Sequence, residues 1–307
     1  MSKGPEIVGG LVVVDKTGGM TSHDVVSRMR KLAGTRKVGH AGTLDPMATG
    51  VLVIGVGQAT RLLHHLLLTD KAYLATVRLG RATVSDDAEG SVLSTASAAR
   101  VNEQDVAAAM RPLTGEIEQV PSAVSAIKVD GQRAHTRVRA GEDVDLAARS
   151  VKVTRFDAVS FARPEPDLLD VEVAVECSSG TYVRALARDL GESLGVGGHL
   201  TSLRRTRVGP FTIDRAATLD ELAELADPIA LPLADAIRAT MPVRVISDAE
   251  ATTLSYGQFL APVGIDGVYG VLLADDTVVG LLREFDSGTP RGGGFFARPV
   301  AMWRARS

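Results

Sequence analysis

Strand-like and helix-like segments follow one another along the first 240 residues without a steady βαβ rhythm, and this restricts the fold more than any other feature. A regular alternation would build a doubly wound parallel sheet, whereas this uneven succession predicts an α+β domain. Residues 11–15 form a β-branched run bounded by glycines and read as a buried strand. A helix follows, with Thr21 or Ser22 able to cap it, Val25, Val26, Met29, Leu32 and Ala33 at helical spacing, and Gly34 as its stop. A strand over 51–56 and a helix carrying Leu62, Leu63, Leu66 and Leu67 come next. Tyr73, Ala75, Val77 and Leu79 then alternate with the period of a half-buried strand. Asn102 opens an alanine-rich helix reaching about Arg111, strands are predicted over 151–161 and 168–177, a helix over 182–194 and a basic strand over 200–211. Residues 119–149 are polar, basic and without sustained periodicity, so they read as an excursion from the core. After a helical stretch ending near Thr240, short apolar runs at 259–263, 267–273 and 278–282 predict a small β-rich domain over 241–307.

The chain has 307 residues, 45% hydrophobic and 23% charged, which excludes a disordered or fibrous protein. No apolar run approaches a bilayer span, and residues 1–10 carry no signal-peptide pattern, so the expected location is the cytoplasm. Cys177 is the only cysteine and reads as a buried structural thiol. The six histidines show neither HExxH nor a paired spacing beside carboxylates, so chemistry without metal or redox cofactor is favoured.

The net charge of −3 hides a segregation. Residues 1–80 hold ten Lys/Arg against five Asp/Glu, a net of +5, and residues 128–160 hold seven against five, a net of +2. On charge alone these are solvated faces or the footprint of a polyanion.

Gly55, Gly57 and Thr60 follow a strand, but the third glycine position is Thr and no acidic residue stands at 77–80, so a dinucleotide loop is rejected. The segment 39–50 is more informative. Asp45 is the only carboxylate between Asp24 and Asp70, it is set among small residues, and Pro46 fixes its exit. Taken alone it reads as an Asp-Pro turn before it reads as a catalytic carboxylate.

The whole run Gly39-His40-Ala-Gly-Thr-Leu-Asp45-Pro46-Met-Ala-Thr-Gly50 resembles the catalytic segment of the TruB family, the bacterial tRNA pseudouridine-55 synthases. The similarity continues through Arg61 and Lys71-Ala72-Tyr73. It returns at Ser125-Ala-Ile-Lys128 with Gly131, at Gly180-Thr-Tyr182-Val-Arg184 through Gly191, and at Leu203-Arg-Arg-Thr206. It thus covers about 200 residues with its motifs in order.

The resemblance implies a pseudouridine synthase fold with a mixed, largely antiparallel sheet, an RNA-clamping insertion at about 119–149, and a small C-terminal domain similar to a shortened PUA domain. It places Asp45 as the catalytic aspartate, Tyr73 as the ring stacked on the target uracil and as a candidate base at C5, and Arg184 as the guanidinium paired with the carboxylate. Tyr182 and Leu203 would line the uracil pocket, and His40 would stand beside the flipped nucleotide. Lys16, Arg36, Lys37, Lys128, Arg139, Arg204 and Arg205 would line a phosphate-tracking groove. The expected reaction is isomerisation of the T-loop uridine of tRNA at position 55, without cofactor or metal, by a monomer needing no protein partner and no membrane. The sequence departs from the family pattern at Thr17 and Ser122, where proline is usual, and at His135, where tyrosine is common. A tRNA-folding chaperone that binds the tRNA elbow independently of catalysis is the competing function. A glycoside hydrolase would need a second acid-base carboxylate that no motif supplies.

Overall fold

The computed structural model describes residues 9–124, 128–129, 132–133, 146–286 and 294–303. Strands β1 (Gly10–Lys16), β2 (Val38–His40), β3 (Thr49–Val56) and β4 (Lys71–Leu79) open the chain. A hairpin of β5 (Arg81–Thr83) and β6 (Val92–Thr95) precedes β7 (Gly115–Gln119). The ribbon of β8 (Lys128–Val129) and β9 (Gln132–Arg133) lies in the excursion, and β10 (Arg149–Ala162), β11 (Leu169–Cys177) and β12 (Gly198–Val208) complete the large unit.

The central sheet runs β1, β3, β12, β4, β11, β10, β7, with Leu231–Pro232 beside β1 and β2 beside β3. Its pairs are antiparallel except β3 with β12, which meet in parallel at Thr49↔Arg204 and Gly50↔Arg205. The mixed, largely antiparallel sheet of an α+β domain is therefore present, and its one change of direction among the described residues lies beside Asp45.

β1 and β3 are covered on both faces, which accounts for their uninterrupted apolar runs. Val12, Val14, Leu52 and Ile54 face one core, and Leu11, Val13, Val51 and Val53 face the other. β4 is covered on one face only, so Tyr73, Ala75, Val77 and Leu79 are buried while Leu74 is 40% exposed. The helix Ser22–Leu32 starts at a reciprocal cap in which the Thr21 hydroxyl accepts from the Asp24 N–H and the Asp24 carboxylate accepts from the Thr21 N–H. No helix among the described residues is long and apolar enough to cross a membrane.

The C-terminal part is a four-stranded sheet of Val243–Val245, Val268–Leu272, Val278–Asp286 and Phe295–Met302, with the helix Asp248–Ser255 against it. The apolar run at 259–263 is not a strand: it contributes one bridge, Leu260 to Ala297, because its other residues lie exposed beyond the sheet edge. Leu272, Leu281 and Trp303 join the core formed by Leu62, Leu63 and Ile237, and the Trp303 indole N–H donates to the Gln58 carbonyl at 3.2 Å. The end of the described chain thus packs back onto the segment 57–67 that follows β3.

Candidate active site

Asp45 lies in the loop that joins β2 to β3, and three pins hold that loop. Ser22, in the first turn of its helix, accepts from the Leu44 N–H at 2.9 Å and donates to the Leu44 carbonyl at 3.1 Å. The Lys16 ammonium donates to the carbonyls of Thr17, Met20 and Pro46 at 2.8 to 3.1 Å. Arg205 donates to the Val51 carbonyl at 2.7 Å and to those of Gly42 and Thr43 at 3.1 and 3.4 Å, so one guanidinium spans both ends of the loop. The exit is Gly50, whose φ of +98° suits glycine and where a Cβ would stand 2.2 Å from the Arg205 carbonyl oxygen.

The Asp45 side chain remains one-third exposed while its partner Arg184 is 6% exposed. Arg184 Nε donates to Oδ2 at 2.9 Å and Nη2 to Oδ1 at 3.4 Å. The same guanidinium donates to the carbonyls of Ser85 at 2.7 Å and Val124 at 2.9 Å, and its Nη1 lies 3.5 Å from Asp87 Oδ2. Acceptors from three separate segments, at 45, 85–87 and 124, therefore fix its plane, and the two-point contact orients the Asp45 carboxylate. Tyr182 ends the approach to the helix Val183–Ser193, and its backbone is clasped by the Gln119 amide, which donates to the Tyr182 carbonyl and accepts from its N–H.

A cavity of about 350 Å³ opens beside Asp45, with Asp45, Tyr73, Tyr182, Arg184 and Leu203 in its lining. Five residues from four motifs spread over 159 positions (45 to 203) thus meet at one place, in a volume suited to a small planar group. Tyr73 is buried, and burial raises its phenol above the usual tyrosine value, which leaves a neutral ring at neutral pH. His40 does not line the cavity. It stands half-buried at the end of β2 with its ring 6.0 Å from that of His23, and burial lowers its imidazole below the usual value.

Lys71, to which the motif reading gave no role, also lines the cavity. Burial, helped by the nearby Arg205 charge, lowers its ammonium to about 8. Between that value and the ordinary lysine value the unfolded chain binds more protons than the folded one, so stability rises with pH from about 8 to 10.5. Lys71→Met is expected to flatten this rise, read as the pH dependence of the urea midpoint; a slope equal to that of the parent would show the ammonium to be as well solvated folded as unfolded. Cys177 is buried and its thiol is raised to about 11 by burial, in keeping with a structural thiol.

Two of the seven groove residues are corrected. Lys16 and Arg205 are each 1% exposed and spend their donors on backbone carbonyls, so neither can reach a phosphate. Arg36 and Lys37 are exposed, and Arg204 is 41% exposed while paired with Asp15 at 2.7 Å. The side chains of Lys128 and Arg139 lie outside the described residues, as does His135. The motif reading missed Asp87 and Gln119. Their signals were a run of polar residues, Ser85-Asp86-Asp87, and an amide at the foot of the excursion, neither of which has a periodicity to mark it as buried.

Residues 30–183 match the family model of the TruB family pseudouridylate synthase N-terminal domain. Residues 184–238 match the tRNA pseudouridylate synthase B C-terminal domain and residues 241–290 the tRNA pseudouridine synthase II C-terminal model. A tRNA pseudouridine synthase B from Nocardia farcinica is 61% identical over 278 residues, which is 90% of either chain. Another from an Arthrobacter species is 56% identical over 308 aligned positions and 97% of either chain. Among solved structures, a chain of an H/ACA RNP bound to a substrate RNA containing 2′-deoxyuridine superposes with a TM-score of 0.71 at 25% identity, covering 98% of this chain and 87% of that one. A chain of a Cbf5-Nop10-Gar1 complex gives 0.71 at 26% identity, covering 97% and 85%. With the family models spanning most of its length and relatives of this identity, the chain belongs to the TruB family of pseudouridylate synthases.

Proposed function

We propose that the protein isomerises uridine to pseudouridine in tRNA, at the T-loop uridine of position 55, with Asp45 as the catalytic carboxylate. The observation that carries this reading is a carboxylate left open to a small cavity while a buried arginine fixes both its oxygens. The reaction breaks the bond from uracil N1 to C1′, turns the base, and joins C5 to C1′. The C5 proton is lost and N1 gains one, so all atoms are conserved and no redox step arises. Asp45 can attack C1′ or the base, or take a proton from the sugar, and its open side serves each route.

The target base sits inside a folded loop and has to be extruded to reach such a cavity. Tyr73 offers a ring face for it, and stacking on an aromatic contributes about 1–3 kcal/mol, which offsets much of the unstacking cost. Tyr182 and Leu203 form walls that exclude water. Exposed Arg36 and Lys37, with the partly exposed Arg204, support contact with phosphates outside the cavity.

The test uses an unmodified tRNA transcript and a second transcript with cytidine at position 55, both with a chelator present. Pseudouridine is mapped by carbodiimide labelling and primer extension. A single product at position 55, absent from the cytidine transcript, is the expected result. Product at another uridine moves the site. Binding of the transcript without any product would favour the tRNA-folding chaperone.

A further inference from the structure

Outside the cavity, the root of the excursion is tied to the rest of the fold by a buried contact. Ser122 is fully buried, and its hydroxyl donates to Asp86 Oδ2 at 2.6 Å. Asp86 is 7% exposed and stands at φ +58°, a conformation uncommon for residues other than glycine and best tolerated by Asp and Asn. A carboxylate held in such a place depends on its donors, since burial works against its charge. Arg188 is the second donor, with Nη1 3.5 Å from the same oxygen, while its Nη2 donates to the Val120 carbonyl at 2.8 Å.

Val120 and Ser122 belong to the segment that leaves β7, and this segment leans on the first turns of the helix Val183–Ser193. Gln119 clasps Tyr182 at one end of it, and at the other the Val124 carbonyl accepts from Arg184. The Asp86 group lies between these two points. Without it, nothing among the described side-chain bonds fixes residues 120–123 against the helix except the Arg188 bond to Val120.

We infer that Asp86, Ser122 and Arg188 are positioning residues, which hold the root of the excursion so that Val124 and the helix keep Arg184 in register with Asp45. None of the three touches Asp45, so they act through Arg184. The inference rests on Asp45 being the catalytic carboxylate. Proline, which the family resemblance leads one to expect at 122, has no hydroxyl to offer Asp86, so this coupling belongs to chains carrying the Asp86 and Ser122 pair.

The test is a cycle of Ser122→Ala, Asp86→Gly and the double variant; glycine accepts the left-handed backbone at 86, so the carboxylate is removed without adding strain. Three quantities are read: the single-turnover rate of pseudouridine formation at saturating tRNA, the Kd for tRNA, and the folded fraction at the assay temperature. Each single variant is expected to slow the reaction about ten-fold with Kd unchanged and the chain fully folded. The double variant should be no slower than the slower single, because the two residues act as one unit. Rates equal to the parent's, losses that multiply in the double variant, or losses tracking the unfolded fraction would each overturn the inference. A parent protein that forms no pseudouridine would instead overturn the functional reading beneath it, and that outcome involves no variant.

Discussion

Asp45→Asn is expected to form pseudouridine on the order of 10⁴-fold more slowly than the parent, or worse, while binding tRNA equally well or more tightly. The substitution keeps the shape of the side chain and one acceptor oxygen for Arg184, but removes the charge and lone pairs that the chemistry needs. Arg184 is not stranded by it. The carbonyls of Ser85 and Val124 still accept from the guanidinium, and Asp87 still lies 3.5 Å from Nη1. The variant should therefore fold, since a charge pair with a partly open partner contributes little once water screens it. Loss of a negative charge facing an anionic ligand is the reason affinity can rise. Single-turnover assays and filter binding on the same preparations decide the matter: a residual rate within about ten-fold of the parent would remove Asp45 from the catalytic role.

Much of this arrangement was legible from the residues, for reasons that differ by element. The Thr21 cap with Asp24 three positions on is a local pattern, and so is the alternation in β4, because both depend only on neighbours in the chain. The pairing of Asp45 with Arg184 spans 139 positions and no local rule supplies it; only the similarity of the motifs to a family did. The three arginines at 204, 205 and 207 look alike as a basic cluster, yet strand geometry separates them. Arg205 shares the inward face with Leu203, two residues before it, while Arg204 points to the other face and pairs with Asp15. The period of two from 203 to 205 was present in the sequence, and reading the cluster as charge alone concealed it; at Arg207 the period fails, because the register shifts after Arg205 and leaves Arg207 partly exposed and paired with Glu176. Asp86, Asp87 and Ser122 were opaque for another reason: they are buried polar groups whose partners come from distant segments, and polar runs in a sequence read as solvent-exposed loops.

The inward course of Arg205 carries the second large expectation. Arg205→Ala should lower the folding stability by roughly 3–5 kcal/mol and abolish most activity, while leaving the salt dependence of tRNA binding by the remaining folded protein unchanged. A buried carbonyl left without a donor costs about 1–3 kcal/mol, and Arg205 serves those of Gly42, Thr43 and Val51. Truncation also leaves a void where the guanidinium filled the space beneath Lys71 and Tyr73, both of which line the same cavity. Lysine is no substitute, because a single ammonium cannot bridge carbonyls on both ends of a loop as a planar fork does. The loop from 42 to 51 carries Asp45, so its loosening should reach the rate before the chain unfolds globally. Urea midpoints measure the first effect, and the slope of log Kd against log salt measures the last. A surface phosphate contact would show the reverse pattern, with stability retained and the slope reduced by about one.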